Sequence, residues 1–282
     1  MSKIAVIGIA GESVFLSVDN FGVTGETTVA TSFYKELGGK GFNQAIAAAR
    51  YGAEVSFLAA CYQEDIENFS RVAEGCGVRP FFVEKTERSP YAVITTDKKG
   101  DNRVCVYRGA ELTVSDVVAF SEEIKSADIL LINNEIPIIV NEWAVKIAKE
   151  NGVKIILNPA PQCMHERAYL EKIDLFTPNE YETVGLKELE RVIVTLGDKG
   201  CLIKNTGEII PAMKIKTVVD TTGAGDTFNG VLAACLAEGE ELKTACQRAN
   251  IAAAIKVGRK YILKSIPTRE EIEQYEKEDN HG

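Results

Sequence analysis

The run Asp220-Thr221-Thr222-Gly223-Ala224-Gly225-Asp226-Thr227-Phe228-Asn229-Gly230 sets a carboxylate directly behind three small residues. Phe228, Val231, Leu232, Cys235 and Leu236 follow at helical spacing, so the run opens a helix. Small residues at a helix N-terminus leave backbone N–H groups bare, and with the helix dipole they form an anion site. Gly223, Ala224 and Gly225 are the candidate cradle, and Asp226 stands where a base could take a proton from an attacking hydroxyl. The plain alternative is a capped helix with a glycine-rich entry.

A second glycine run, Gly38-Gly39-Lys40-Gly41-Phe42-Asn43-Gln44, also enters a helix, with Phe42, Ala45, Ile46 and Ala49 on one face. Glycine permits close approach to a ligand, and the Asn43 amide can read neighbouring hydroxyls. Gly-Lys is not followed by Ser or Thr, so this is not a P-loop. Nor does Gly8-Ile9-Ala10-Gly11 fit a dinucleotide fingerprint. Asn158-Pro159-Ala160-Pro161 and Thr177-Pro178-Asn179-Glu180-Tyr181-Glu182 each follow a strand-like run, at the strand ends where α/β sheets bind ligands. Asn179 and Glu182 would project together from a helix start and suit Mg²⁺ on a nucleotide phosphate; a capped helix with a first-turn glutamate is the alternative. Thr195-Leu196-Gly197-Asp198-Lys199-Gly200 could line a nucleotide or form a tight turn.

The elements that must hold these groups alternate. Apolar runs at 4–7, 55–60, 129–132, 153–157, 175–177 and 192–196 are separated by amphipathic segments such as 42–50 and 140–150, which predicts an α/β fold with a mostly parallel sheet. Residues 14–36 and 90–109 break the rhythm with β-prone alternation and a turn at Asp97-Lys98-Lys99-Gly100-Asp101-Asn102. They are expected to form a small antiparallel lid. With no repeat or linker, residues 1–282 read as a single domain. A net charge of −9 over 282 residues argues against a nucleic-acid surface. No apolar run is long enough for a membrane span, and Met1-Ser2-Lys3 leading straight into a strand-like run points to a cytoplasmic protein. The seven cysteines are scattered singly and read as buried free thiols. Only His165 and His281 occur, neither with an evident partner, so acid–base chemistry falls to carboxylates.

In their order along the chain these motifs, together with Gly109-Ala110 and Ser265-Ile266-Pro267, resemble the ribokinase-like (PfkB) carbohydrate kinase family over essentially the whole length. The resemblance implies a three-layer α/β/α fold and ATP-dependent phosphorylation of a sugar hydroxyl. It implies Asp226 as base and Gly223–Gly225 as anion hole. Asn179, Thr195, Gly197, Gly200 and Asn250 match nucleotide-binding positions, and Glu182 the Mg²⁺-associated glutamate. Gly39, Lys40, Gly41, Asn43 and Glu135 fall at sugar-contacting positions. Asp220, Thr222 and Ser265 match a K⁺-type monovalent-cation site, and the lid implies a homodimer. A nucleoside or other polyol kinase, or a catalytically silent binding protein on the same fold, are the alternatives.

Three places depart from the family pattern. Gly11-Glu12-Ser13 stands where ribokinases carry a hydroxyl-gripping Asn-x-Asp, so ribose is expected to be a poor acceptor. Residues 178–190 leave a short crossover. Tyr261-Ile262-Leu263-Lys264 replaces a smaller, glycine-containing segment.

Overall fold

In the computed structural model, which describes residues 1–279, a six-stranded parallel sheet forms the middle layer. Its strands are β1 (Lys3–Ile7), β4 (Glu54–Tyr62), β5 (Val78–Lys85), β8 (Ile129–Asn133), β9 (Lys154–Asn158) and β10 (Leu175–Phe176), in the order β10-β9-β8-β1-β4-β5. His281 lies outside the described residues. Alternation along β1 shows why both faces must be covered. Ile4 and Val6 point into one apolar core and Ala5 and Ile7 into another. The first core is closed by α1 (Lys40–Tyr51), α2 (Ile66–Gly75), α7 (Ala224–Ala237), α8 (Leu242–Val257) and α9 (Arg269–Asp279). The second is closed by α3 (Val114–Ala119), α4 (Ser121–Lys125), α5 (Ile138–Glu150) and α6 (Arg167–Leu170). The architecture is the expected α/β/α sandwich.

Phe42 anchors α1 on the sheet, with ring centroids 5.7 Å from Phe57 and 5.7 Å from Phe69. Each such pair contributes about 0.5–1.5 kcal/mol beyond simple burial. Gly8 and Gly41 permit the contact: a Cβ on Gly41 would come within 2.7 Å of the Gly8 Cα. The start of α1 is thereby pressed onto the carboxyl end of β1. The edge strand β5 has no counterpart in the sequence reading; Pro80 inside it reads against a strand, yet an edge tolerates proline.

A second sheet, in the order β3-β2-β6-β7, forms where the lid was expected: β2 (Gly11–Val18), β3 (Ala30–Gly38), β6 (Tyr91–Thr96) and β7 (Asn102–Tyr107). The predicted turn is present, with the Asp97 carboxylate accepting the Lys99 N–H at 2.8 Å. The lid is mixed rather than purely antiparallel, because β2 and β6 pair in parallel. The chain leaves the lid between these two strands to build α1, β4, α2 and β5, and such a long excursion allows a parallel return.

The segment 178–190 contains turns, bends and a single bridge from Asn179 to Thr195 but no helix, so the expected helix start at Asn179 does not form. Thirteen residues are enough to bring Val192 beside Phe176 through parallel bridges, but they leave no length for a helix. The 192–196 run accordingly becomes β11 (Ile193–Thr195), which pairs antiparallel with β12 (Cys201–Ile203) and through it with β13 (Glu208–Ile210). All seven cysteines are free; Cys105 and Cys163 are exposed rather than buried. Among the described residues no helix is long and apolar enough to cross a membrane.

Candidate active site

Two helix N-termini converge at the carboxyl ends of the central strands. Helix α7 starts immediately after Gly223, whose φ of 77° is left-handed and favours glycine. There is no room for a side chain there either, because a Cβ would sit 2.8 Å from the Ile262 Cγ2. Gly39 precedes α1 with φ 108°, and a Cβ there would approach the Ile9 carbonyl to 2.5 Å.

Asp226 lies in the first turn of α7, buried, and two amides from α1 fix its carboxylate. Asn43 Nδ2 donates to one oxygen at 2.8 Å and Gln44 Nε2 to the other at 3.3 Å. The same Gln44 amide donates to Asn158 Oδ1 at 3.1 Å, and Asn158 Nδ2 donates to the Thr177 carbonyl at 2.9 Å. The Thr177 hydroxyl donates to Asn229, whose Nδ2 donates to the Gly225 carbonyl at 2.8 Å. A buried polar chain thus ties the glycine-rich end of α7 to β9 and β10. The chain fixes the donor side of these amides, while Gln44 Oε1 and Asn43 Oδ1 are buried without a hydrogen-bond partner.

At the start of α1, Glu135 Oε2 accepts the Lys40 N–H at 2.8 Å, and Asn133 Oδ1 accepts the Glu135 N–H at 2.9 Å. Burial is the main force pushing the Glu135 carboxyl up to about 7; Asp226 adds to it and Lys40 opposes. The Lys40 ammonium is held above its usual pKa chiefly by Asp226, against its own burial. Lys40 and Glu135 line a cavity of about 340 Å³ with Gly8, Asn134 and Arg108. Glu12 does not: it pairs with Lys35 at 2.7 Å and faces a different cavity, beside Arg88. His165, without a partner in the sequence reading, has its Nε2 3.1 Å from Cys163 Sγ and 3.1 Å from Asn134 Oδ1.

A larger cavity of about 900 Å³ opens on the other side of α7's first turn. Ala224 and Gly225 line it, together with Asn179, Thr195, Gly197, Gly200 and Asn250. All five positions matched to a nucleotide therefore face one space. Asn250 is already committed in part, with Nδ2 donating to the Ile210 carbonyl at 3.0 Å and the Pro211 carbonyl at 3.2 Å. Glu182 and Asn179 meet as expected, but as a reciprocal turn: Glu182 Oε2 accepts the Asn179 N–H at 3.0 Å, and Asn179 Oδ1 accepts the Glu182 N–H at 3.1 Å.

The residues matched to a monovalent cation are partly engaged with one another and with Lys256. The Asp220 carbonyl accepts Lys256 Nζ at 2.8 Å, and Asp220 Oδ1 accepts the Thr222 N–H at 2.9 Å. The Ser265 hydroxyl donates to the Tyr261 and Ile262 carbonyls. Lys256 went unnoticed in the sequence, although a lysine flanked by Ile255 and Val257 in an alanine-rich helix is the signal that marks it. Glu36 was equally unmarked; it accepts the Ile262 and Leu263 N–H groups at 2.8 Å each.

Asp226 thus sits in a helix turn whose Ala224 and Gly225 line the larger cavity, while its charge acts on Lys40, which lines the smaller one. Residues 1–269 match the model of the pfkB carbohydrate kinase family. The chain is 34% identical to a ribokinase of Haemophilus influenzae, covering 96% of this chain and 97% of that one. A ribokinase structure from Thermotoga maritima superimposes with a TM-score of 0.86 at 32% identity, covering 98% of this chain and all of that one. An Arabidopsis thaliana ribokinase solved with ribose and ATP gives a TM-score of 0.84 at 26% identity, covering 97% of this chain and 98% of that one. The chain belongs to the pfkB family of carbohydrate kinases.

Proposed function

We propose that this carbohydrate kinase moves the γ-phosphoryl of ATP onto a sugar hydroxyl at Asp226. The observation that carries the assignment is the position of Asp226: its α7 turn fronts the larger cavity, while its charge acts on Lys40, which lines the smaller one. Asn43 and Gln44 each donate to one oxygen and so orient the carboxylate, which on this reading would take its proton from a hydroxyl bound beside Lys40. Phosphoryl transfer depends on in-line placement and charge stabilisation more than on covalent help. The backbone N–H groups of Gly223, Gly225 and Asp226 are fixed before the reaction and would meet the charge that develops on the transferred group, whereas the Ala224 N–H donates to the Thr221 carbonyl at 3.2 Å. Asp226 would take the hydroxyl proton as the new bond forms.

Among the described residues no cluster of three or more His, Cys, Asp or Glu side chains stands ready for a metal. A magnesium ion carried on phosphates keeps most of its water and needs few protein ligands. Glu182, at the rim next to Asn179, would hold it through water; the ion neutralises phosphate charge. Coupled detection of ADP across a panel of pentoses, hexoses, polyols and nucleosides tests the reading. Sugar-dependent ADP release is expected, with ribose at least tenfold below the best acceptor in kcat/KM, because a missing charge-assisted hydrogen bond costs about 1.5–3 kcal/mol. ATP binding without turnover on any acceptor would favour a silent protein. Two lids, we further propose, pair into a homodimer that covers their exposed faces.

A further inference from the structure

Lys256 is the most deeply buried charge in the described chain, with no exposed surface at all, and the phosphoryl-transfer scheme does not use it. Its Nζ donates to the Asp220 carbonyl at 2.8 Å and lies 3.8 Å from Asp220 Oδ2. Its Cε runs behind the cradle, 3.8 Å from where a Cβ on Gly223 would sit. Burial holds its pKa below the ordinary lysine value, and three carboxylates, Asp220, Glu36 and Asp226, act against that and favour the ammonium. Two other oxygens nearby already accept hydrogen bonds. Thr222 donates to Asp220 Oδ1, and the Val257 carbonyl accepts the Val219 N–H at 2.8 Å and the Asp220 N–H at 3.1 Å. An alkali cation needs several free oxygens, and here the ammonium has taken the central one.

We infer that the Lys256 ammonium is a tethered substitute for the monovalent cation, supplying a fixed positive charge behind the Gly223–Gly225 cradle. The inference rests on the kinase reading of that cradle, and makes Lys256 a positioning residue for it. A covalently held cation has no dissociation constant, so the protein should be indifferent to the alkali ion in the buffer. Truncation to alanine should open a cavity lined by Asp220 oxygens with a deficit of one positive charge, which K⁺ can enter.

The test compares wild type, Lys256→Ala and Lys256→Met in KCl, NaCl and tetramethylammonium chloride at equal ionic strength. Melting temperature, ATP dissociation constant and turnover are read for each. Wild type should melt within about 1 °C in all three salts after correction by the Lys256→Met baseline, with ATP affinity and turnover within about twofold. Lys256→Ala should lose ten-fold or more in turnover in tetramethylammonium and recover with K⁺. Its melting temperature should rise by roughly 3–8 °C, as expected for an ion at 10–100 times its dissociation constant. Lys256→Met, which fills the space without charge, should not recover. A saturable K⁺ response of fivefold or more in wild-type ATP affinity or turnover would overturn the inference, as would full activity of Lys256→Ala in tetramethylammonium. If neither variant folds, the wild-type salt comparison decides alone. Failure to phosphorylate any sugar in any salt would count against the kinase reading, whereas the salt dependence of melting still reads the cation site.

Discussion

Asp226 is steered by the neutral amides of Asn43 and Gln44, with the Lys40 ammonium close enough to feel its charge; on the proposed reading that charge would draw the acceptor's proton. Glu135, a short distance away across Lys40, is the group whose charge state the fold alters most usefully. Its carboxyl titrates at about 7 when folded, above the ordinary carboxylate value, with burial as the first cause. A raised carboxylate pKa means the folded chain binds more protons than the unfolded one between about pH 4.5 and 7. The contribution of Glu135 to stability is therefore full below that window and is lost as pH rises through it. Glu135→Gln removes the titration. The stability difference between the variant and wild type should shift by about 2–4 kcal/mol in the variant's favour from pH 4.5 to 8, measured by urea unfolding. A pH-independent difference would show that Glu135 is not titrating in that range. Gly223→Ala belongs to the same scale: left-handed φ plus the Ile262 contact should cost about 1–3 kcal/mol, visible in the melting temperature, and should weaken ATP binding.

At the scale of elements, the site exists because α1 and α7 both begin at the carboxyl edge of the sheet and pack against each other. A Cβ on Gly230 would come within 2.4 Å of the Gln44 carbonyl, so the closeness of the two helices depends on that glycine. The lid is tied to the cradle by Glu36, at the end of β3, whose carboxylate bridges Ile262 and Leu263 N–H groups. Ile262 in turn backs Gly223. Tyr261 adds an edge-on contact with Tyr34 of β3, centroids 5.4 Å apart, while holding a left-handed φ of 73°. Glu36→Ala would leave two amides without their acceptor and should cost about 2–4 kcal/mol. Hydrogen exchange should then show faster opening of residues 259–266; unchanged protection there would separate lid from cradle.

For the whole molecule, the lid leaves apolar surface open. Val104 and Val106, two apart on β7 and so on one face, are 59% and 60% exposed. An uncovered strand edge with such a face favours pairing with a second copy. Light scattering should give a dimer for wild type and a monomer for Val104→Lys/Val106→Lys; a monomeric wild type would remove the lid interface. Five of the six central strands were legible in the sequence because buried parallel strands are continuous apolar runs, whereas β5, carrying Pro80, was not; the glycine runs stood out because few other residues fit their backbone. The polar chain through Gln44, Asn158, Thr177 and Asn229 was not, since it joins residues as much as 114 positions apart whose types suit any surface. Lys256 and Glu36 escaped for the same reason: a charge's burial is a property of the packed fold. The crossover at 178–190 was legible as short but not as helix-free. The central claim, transfer at Asp226, is tested most directly by the turnover of Asp226→Asn on the best acceptor at saturating ATP. A fall of about 10²–10⁴-fold with ATP affinity little changed is expected from loss of a positioned base; turnover within threefold of wild type would contradict it.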